Sequence, residues 1–267
     1  MERRFLLAIL PVLALTARAD CGPTQLSAVL NDLHYPLKYD QNQRLIDGII
    51  RCQPTSADPG KSVLALSLRH PTQDQHNDHF DIYSLDVVVF RSSDGVVLAR
   101  YTKPDEFLSD AVELKDIKLD MGQYTLNADT RAFGVRANYS IAGLAVYNYQ
   151  ALTLFVQKDS AITEVVSGLV TGEAHYDGGY GPRCTAFSGE TDHLYAGQLI
   201  EVRRSVEPAL QKTNGYADLT ITETGKTVST KNLDGTCVKT TEPPTQSRSV
   251  LKYDGDSYVL PKELRAE

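Results

Sequence analysis

From residue 62 onward the chain alternates between apolar and polar residues with a period of two. Eleven runs of this kind, rich in Val, Leu, Ile, Thr and Tyr, follow one another from SVLALSLRH (62–70) to SVLKYDG (249–255). A period of two buries one face of each strand and leaves the other in water, which is typical of antiparallel sheets. The sequence therefore predicts an all-β protein, with antiparallel strands in one or two sandwich-like or barrel-like lobes.

Three of the turns between these runs are predicted from their residues. Ser93-Asp94-Gly95 and Glu223-Thr224-Gly225-Lys226 each supply a glycine that can adopt a positive φ. Lys158-Asp159-Ser160 separates two further strand-like runs. We expect a tight hairpin at each of the three.

The segment before the alternating runs has a different pattern. Thr24 can serve as an N-cap, and apolar residues then recur at helical spacing before Pro36: Leu26, Val29, Leu30 and Leu33. We expect a short helix here, followed by a turn-rich connector at 53–61.

The whole chain is expected to have four parts. These are a signal peptide (1–19), a helical segment with its connector (20–61), a first β lobe (62–165) and a second β lobe (166–267). The alternative is that the two lobes form one domain, because 248 residues after cleavage can bury a single large core.

The first nineteen residues have the features of a signal peptide. Arg3 and Arg4 precede the apolar run FLLAILPVLAL (5–15), and Ala17-Arg18-Ala19 supplies small residues at the positions that a signal peptidase reads. This run spans about 16 Å as a helix, roughly half of a bilayer core, so no stable membrane anchor is expected. We expect cleavage after Ala19 and a periplasmic or secreted mature protein.

The charge of the chain excludes one class of partner. Lys and Arg number 27 against 34 Asp and Glu, for a formal net charge of −7 at pH 7. An acidic surface does not attract phosphate backbones. We expect a protein or an envelope glycan as the partner, and no nucleic acid.

The four cysteines are expected to form disulfides, because an even number in an oxidising compartment favours pairing. Cys21–Cys52 and Cys184–Cys237 are the favoured pairs among the three possible connectivities, since near pairs meet most easily. The spacings are too wide for a zinc site, which uses clustered cysteines.

Histidines are concentrated in the stretch RHPTQDQHNDHFDIY (69–83). His70, His76 and His79, together with Asp78, could hold zinc, copper or nickel. However, the stretch lies between two strand-like runs and contains proline, glutamine and asparagine, a composition typical of a solvated connection. We therefore expect a loop, in which His76 and His79 are candidate partner contacts, and no metal site.

The stretch EAHYDGGYGPRC (173–184) is the second loop with a distinctive composition. Its glycines free the backbone, and Tyr176 and Tyr180 are amphipathic residues of the kind found at binding surfaces. Both tyrosines are candidate partner contacts. The alternative is that a long hairpin tip uses these glycines for its own conformation.

No catalytic motif supports an enzyme. The chain contains no G-x-S-x-G, H-E-x-x-H, P-loop or dinucleotide-binding motif. We assign no catalytic residue and no cofactor. The sequence favours an exported, soluble periplasmic protein that acts by binding, for instance as an inhibitor or immunity-type protein. The alternatives are a metal-dependent hydrolase that uses the loop at 70–81 and a structural component of the envelope.

Overall fold

The structure, a computed structural model, describes residues 21–35, 48–55, 58–70, 81–141, 147–177, 183–186 and 193–266. For 183–186 and 193–195 it describes the backbone alone. Over these ranges the chain forms a helix, a set of strands and a final 3₁₀ turn. They are α1 (Pro23–Asp32), β1 (Gly48–Pro54), β2 (Lys61–His70), β3 (Asp81–Arg91), β4 (Val97–Ser109), β5 (Val112–Thr125), β6 (Arg131–Ile141), β7 (Tyr147–Lys158), β8 (Ala161–Asp177), β9 (Arg183–Ala186), β10 (His193–Tyr195), β11 (Gly197–Thr213), β12 (Tyr216–Leu233), β13 (Thr236–Thr241), β14 (Thr245–Leu251) and the turn Lys262–Leu264.

The predicted all-β fold is confirmed. Strands that follow one another in the chain pair mostly as antiparallel neighbours, in the order β1-β2-β3-β4 and β5-β6-β7-β8, and β8 continues to β11 and β12. Two contacts are parallel, between β4 and β8 and between β13 and β9. The described strands do not close into a ring.

The two groups of four strands pack face to face. Alternate residues of β2 and β3, such as Val63 and Val87, share one apolar cluster with Val135 of β6 and Phe155 of β7. All four side chains are at most 2% exposed. The period of two in these strands therefore makes a sandwich, with its main core between the two layers.

The helix α1 covers the outer face of the first layer. Val29 and Leu30 pack on the side chains of β2 and β3 that point away from the main core, among them Leu64 and Phe90. The predicted disulfide Cys21–Cys52 is present and joins the start of α1 to β1, with Cα atoms 5.6 Å apart.

The predicted cap of α1 is wrong by two residues. The N-cap is Gly22, and Pro23 occupies the first helical position, where its missing N–H costs no hydrogen bond. The side chain of Gln25 accepts a hydrogen bond from the Gly22 backbone N–H at 2.9 Å. Thr24 lies inside the first turn because Pro23 fixes the φ angle one residue earlier than expected.

The outer face of the second layer is covered by β12, β14 and the last residues of the chain. Leu219 and Ile221 of β12 join Leu251, Leu260 and Leu264 in an apolar cluster with side chains of β7 and β8. Residues of this C-terminal segment also form backbone hydrogen bonds with β8.

Two of the three predicted hairpins are present, at Ser93-Asp94-Gly95 and Lys158-Asp159-Ser160. The third is wrong, because β12 continues through Gly225 without turning. The hairpin turns of this region lie instead at Asn214-Gly215 and Asp234-Gly235, where all four residues have positive φ. A Cβ atom on Gly225 would lie 2.5 Å from Thr245 Oγ1, so this glycine permits the close approach of β14.

The strand β8 spans Ala161–Asp177 and passes through the predicted boundary between 165 and 166. The division into two lobes stays a prediction.

In the described part of the chain, no helix combines the length and the apolar character needed to cross a membrane.

Candidate functional site

A cleft opens where β4 and β8 separate. Arg100 of β4 and Ala161 of β8 form a parallel bridge, and beyond it the two strands diverge. The space between them, named here the β4–β8 cleft, has a volume of about 700 Å³. Its walls come from β4, the inner face of β6 and β7, the edge of β8 and the C-terminal segment. This volume lies in the range of small-ligand sites.

A bulge in β4 forms one wall of the cleft. Lys103 is paired with Leu85 and Phe107 with Tyr83, so residues 104–106 stand opposite a single residue of β3. Asp105 in the bulge has a φ of 56°, which is uncommon for a residue other than glycine. Bulges turn a side chain away from its regular direction, and they occur frequently beside functional sites.

The bulge brings a buried carboxylate against a lysine. The side chain of Glu106 is 8% exposed, and its Oε2 atom lies 2.6 Å from Lys103 Nζ. Glu164 of β8 reaches the same ammonium at 3.5 Å and accepts a hydrogen bond of 2.7 Å from the hydroxyl of Tyr101. Two carboxylates thus share one lysine across the opening between β4 and β8.

This cluster shifts the ionisation of its members. Burial raises the pKa of the Glu106 carboxyl, Lys103 offsets part of that rise, and the nearby charge of Glu164 adds to it. Burial also raises the pKa of Tyr101, as does its hydrogen bond to Glu164. Raised carboxyl pKa values occur often at functional sites, although structural ion pairs produce them too.

A pair of tyrosines forms the inner wall. Tyr139 of β6 is opposite Tyr149 of β7, and their rings stack with centroids 4.5 Å apart and planes 10° from parallel. Phe107 meets Tyr139 edge to face at 6.5 Å. Burial raises the pKa of Tyr149 to about 12, so both hydroxyls stay protonated at neutral pH. The lining of the cleft therefore combines aromatic side chains with carboxylates.

The mouth of the cleft carries exposed apolar side chains. Leu108 of β4 and Val259 of the C-terminal segment both line the cleft and are 56% and 55% exposed. The C-terminal segment lies along the edge of β8 through hydrogen bonds of 2.8 Å from Tyr258 N to Val165 O and from Ala266 N to Gly168 O. Exposed apolar residues beside a polar cleft are typical of interaction sites.

A second polar cluster lies on the opposite face of β6 and β7. Arg136 donates hydrogen bonds to Asp120 at 2.7 Å, to Gln150 at 2.8 Å and to Thr171 at 2.9 Å. The hydroxyl of Tyr124 donates to Asp120 at 2.8 Å. The guanidinium is thus engaged by protein groups, and we assign this cluster a structural role.

Most of the histidine-rich candidate site lies outside the described residues. These candidates are His76, Asp78 and His79, and Tyr180 of the second predicted loop is also outside. His70 is described: it ends β2 opposite Ile82 and is exposed. Within the described ranges no group of three or more His, Cys, Asp or Glu residues could hold a metal ion.

Tyr176 lies in a strand, which corrects the prediction of a loop at 173–177. The strand β8 extends to Asp177, and Tyr176 is paired with Leu199 of β11 while His175 is paired with Tyr147 of β7. The loop composition begins one residue later, with the glycines at 178 and 179. Pairing with β7 and β11 holds this end of β8 in a strand. Neither neighbour can be identified from local sequence, which is why the prediction of a loop is wrong. Whether Tyr176 contacts a partner stays a prediction.

The second predicted disulfide is described in part. Cys237 is disulfide-bonded, whereas the side chain of Cys184 lies outside the described residues. The backbones of the two strands are adjacent, since Cys237 of β13 is paired with Ala186 of β9. The pairing of Cys184 with Cys237 stays a prediction.

The residues of the β4–β8 cleft were not among the candidates found in the sequence. A local signal for the bulge was present, because Pro104-Asp105 interrupts a strand-like run, and proline in a strand marks an edge or a bulge. No local signal indicated that β4 would separate from β8, or that Tyr139 and Tyr149 would face the resulting space.

Searches against protein-family models, curated proteins and solved structures gave no match to this chain.

Proposed function

We propose that the protein is exported to the periplasm or secreted, and that it acts there by binding a partner in the β4–β8 cleft. The partner is a protein or an envelope glycan. Export rests on the signal-like segment at 1–19, and the disulfide Cys21–Cys52 fits an oxidising compartment outside the cytoplasm.

The observation that carries the proposal is the composition of the cleft. It has the volume of a ligand site, a stacked tyrosine pair on its inner wall, a buried carboxylate on its β4 wall and exposed apolar residues among its lining. Among the described residues β4 and β8 pair at Arg100 and Ala161, and the space beyond that bridge has polar walls, which favours binding.

Binding is a better match to this geometry than catalysis. Glu106 and Glu164 resemble the carboxylate pair of a glycosidase in one respect, because the pKa of Glu106 is raised. A glycosidase, however, places its carboxyl groups on either side of the bond that it cleaves. Here both carboxylates contact the ammonium of Lys103. Among the described residues that line the cleft there is also no histidine or cysteine.

Site-specific photo-crosslinking in the exporting cell tests the proposal. Leu108 and Val259 at the mouth of the cleft are replaced, one at a time, with a photoreactive phenylalanine analogue. Leu210 and Leu233 serve as matched controls, because both are exposed apolar residues that do not line the cleft. We expect the same covalent adduct from Leu108 and Val259 and none from the controls. Adducts that form equally at Leu210, or none at either mouth position, would contradict the proposal.

A further inference from the structure

Negative charge is in excess inside the β4–β8 cleft. The residues at its wall include four carboxylates and two basic side chains: Asp105, Glu106, Glu164, Asp256, Lys103 and Arg265. Glu106 is almost fully buried, and Lys103 has to neutralise both Glu106 and Glu164. A buried carboxylate that shares its cation gains from a further positive charge, because Coulombic attraction is strong where water is excluded.

The tyrosine pair offers a surface of matching chemistry. Tyr149 is half-buried, and its ring is stacked on Tyr139 at 4.5 Å. The faces of tyrosine rings attract ammonium and guanidinium groups. The charge of Glu106 contributes to the raised pKa of Tyr139, which is consistent with the carboxylate lying near this wall. A cation in the cleft would therefore meet a carboxylate and an aromatic ring together.

The cleft continues into a second depression of about 400 Å³. Leu108, Tyr149 and Arg265 line both spaces. The second space adds three carboxylates, Asp110, Glu173 and Glu263, and one basic residue, Lys262. An elongated acidic groove with an apolar rim suits an extended polypeptide better than a compact small molecule.

We propose that the β4–β8 cleft binds a lysine or arginine side chain presented by an extended segment of a partner protein. The inference rests on the proposed function and adds the chemistry of the partner. The basic group lies between Glu106 and the Tyr139–Tyr149 pair, while Leu108 and Val259 contact apolar neighbours in the same segment. The negative charge of the whole chain, −7, attracts a basic partner from a distance.

Peptide libraries of eight residues test this chemistry directly, with the full mature protein in solution. The central position is fixed as Lys, Arg, Gln, Glu or Leu, and binding is followed by calorimetry at low and at high salt. We expect measurable binding for the Lys and Arg libraries. The affinity of the Gln and Glu libraries should be weaker than that of the basic libraries by roughly tenfold or more. Binding of the basic libraries should weaken at high salt. Equal binding of the Gln and Lys libraries would overturn the inference.

Variants locate the effect in the cleft. Glu106→Gln keeps the shape of the side chain and is expected to weaken binding of the Lys library roughly tenfold to a hundredfold. Glu164→Gln is a second variant with the same expected direction. Glu242→Gln removes an exposed carboxylate outside the cleft and is the matched control, for which no change is expected. A loss of affinity in the control equal to that in Glu106→Gln would overturn the inference, since it would reflect net charge alone.

The crosslinking experiment separates this inference from the proposed function. If Leu108 and Val259 form adducts in Glu106→Gln and in Glu164→Gln as efficiently as in the unchanged protein, the cleft binds a partner by another chemistry. The same conclusion follows if the adduct is a glycan. In both cases the inference fails while the proposed function stands. If neither mouth position forms an adduct in the unchanged protein, both fail.

Discussion

Arg100 of β4 and Ala161 of β8 form a parallel bridge at the closed end of the cleft, and the two strands separate from that point. The side chain of Arg100 is held on the outer face of the sheet. It donates two hydrogen bonds to Asp86 Oδ1, from Nε at 3.1 Å and from Nη2 at 2.8 Å. Asp86 is 2% exposed and also accepts hydrogen bonds from Thr102 and Tyr35. The carboxylate therefore fixes β4 at the position where the cleft begins.

Replacing Asp86 by asparagine should destabilise this junction. Arg100 would lose its counter-ion, and a buried carboxylate with several donors would become a weaker acceptor. We expect the free energy of unfolding to fall by about 2 kcal/mol, since part of the guanidinium remains in water. Urea denaturation measures the change. Asp81 lies on the same strand as Asp86 and forms an exposed ion pair with Arg69 of β2. Asp81→Asn is therefore the control and should cost less than about 0.5 kcal/mol. Equal effects of the two substitutions would contradict the role of Asp86.

The disulfide Cys21–Cys52 should be a main tether of α1. It closes a loop with a sequence separation of 31 residues. On the chain-entropy model, changing both cysteines to serine should lower the free energy of unfolding by about 3–4 kcal/mol. Chemical denaturation of the variant measures this, with the unchanged protein under oxidising conditions as the reference. A variant as stable as the reference would show that α1 is held without the bridge.

Glu106 should make stability depend on pH in a defined direction. Because burial raises its pKa above the ordinary value of 4.5, the folded protein holds this proton more tightly than the unfolded chain. The stabilisation from this bound proton is complete below pH 4.5 and is lost as the pH rises through the raised pKa of Glu106. The side chain of Glu106→Gln cannot ionise, so the variant does not lose stability in this way as the pH rises. In urea denaturation from about pH 4 to pH 8, the stability of the variant relative to the unchanged protein should therefore increase with pH. A difference that stays constant would rule out a raised pKa.

An added methyl group should be tolerated poorly at Gly134, in contrast to Gly172 in the same layer. A Cβ atom on Gly134 would lie 2.7 Å from Leu152 Cδ1 and 3.1 Å from Leu154 Cδ2, inside the core. At Gly172 the nearest atom would be 3.8 Å away, an ordinary contact. Gly134→Ala should cost about 1–3 kcal/mol by overpacking, and Gly172→Ala should be close to neutral. Thermal and urea denaturation compare them, and a reversed order would contradict the packing of β6 on β7.

The sequence carried the information for the strands, because alternation with a period of two is local. The same holds for α1 (Pro23–Asp32), whose apolar residues recur at helical spacing, and for the disulfide between cysteines close in the chain. Local patterns failed where pairing partners decide the outcome. The sequence around Gly225 predicts a turn, yet β11 and β14 hold this glycine in a strand.

The candidate site was missed for a related reason. Glu106 resembles any polar residue of an alternating strand, and only the bulge at residues 104–106 turns it inward. Tyr139 and Tyr149 belong to different strands, and their stacking follows from the register between β6 and β7. The gap between β4 and β8 depends on where two distant strands stop pairing, for which no local pattern exists.

Filling the cleft with a bulky side chain tests whether a partner binds there. Ser167 is exposed and lines the β4–β8 cleft, so Ser167→Trp places a bulky ring in it without removing a charge. Ser205→Trp adds the same ring at an exposed position of β11 that does not line the cleft. The measurement is the yield of the covalent adduct from a photoreactive residue at Val259. We expect Ser167→Trp to abolish the adduct and Ser205→Trp to retain it. An undiminished adduct in Ser167→Trp would contradict binding in the cleft.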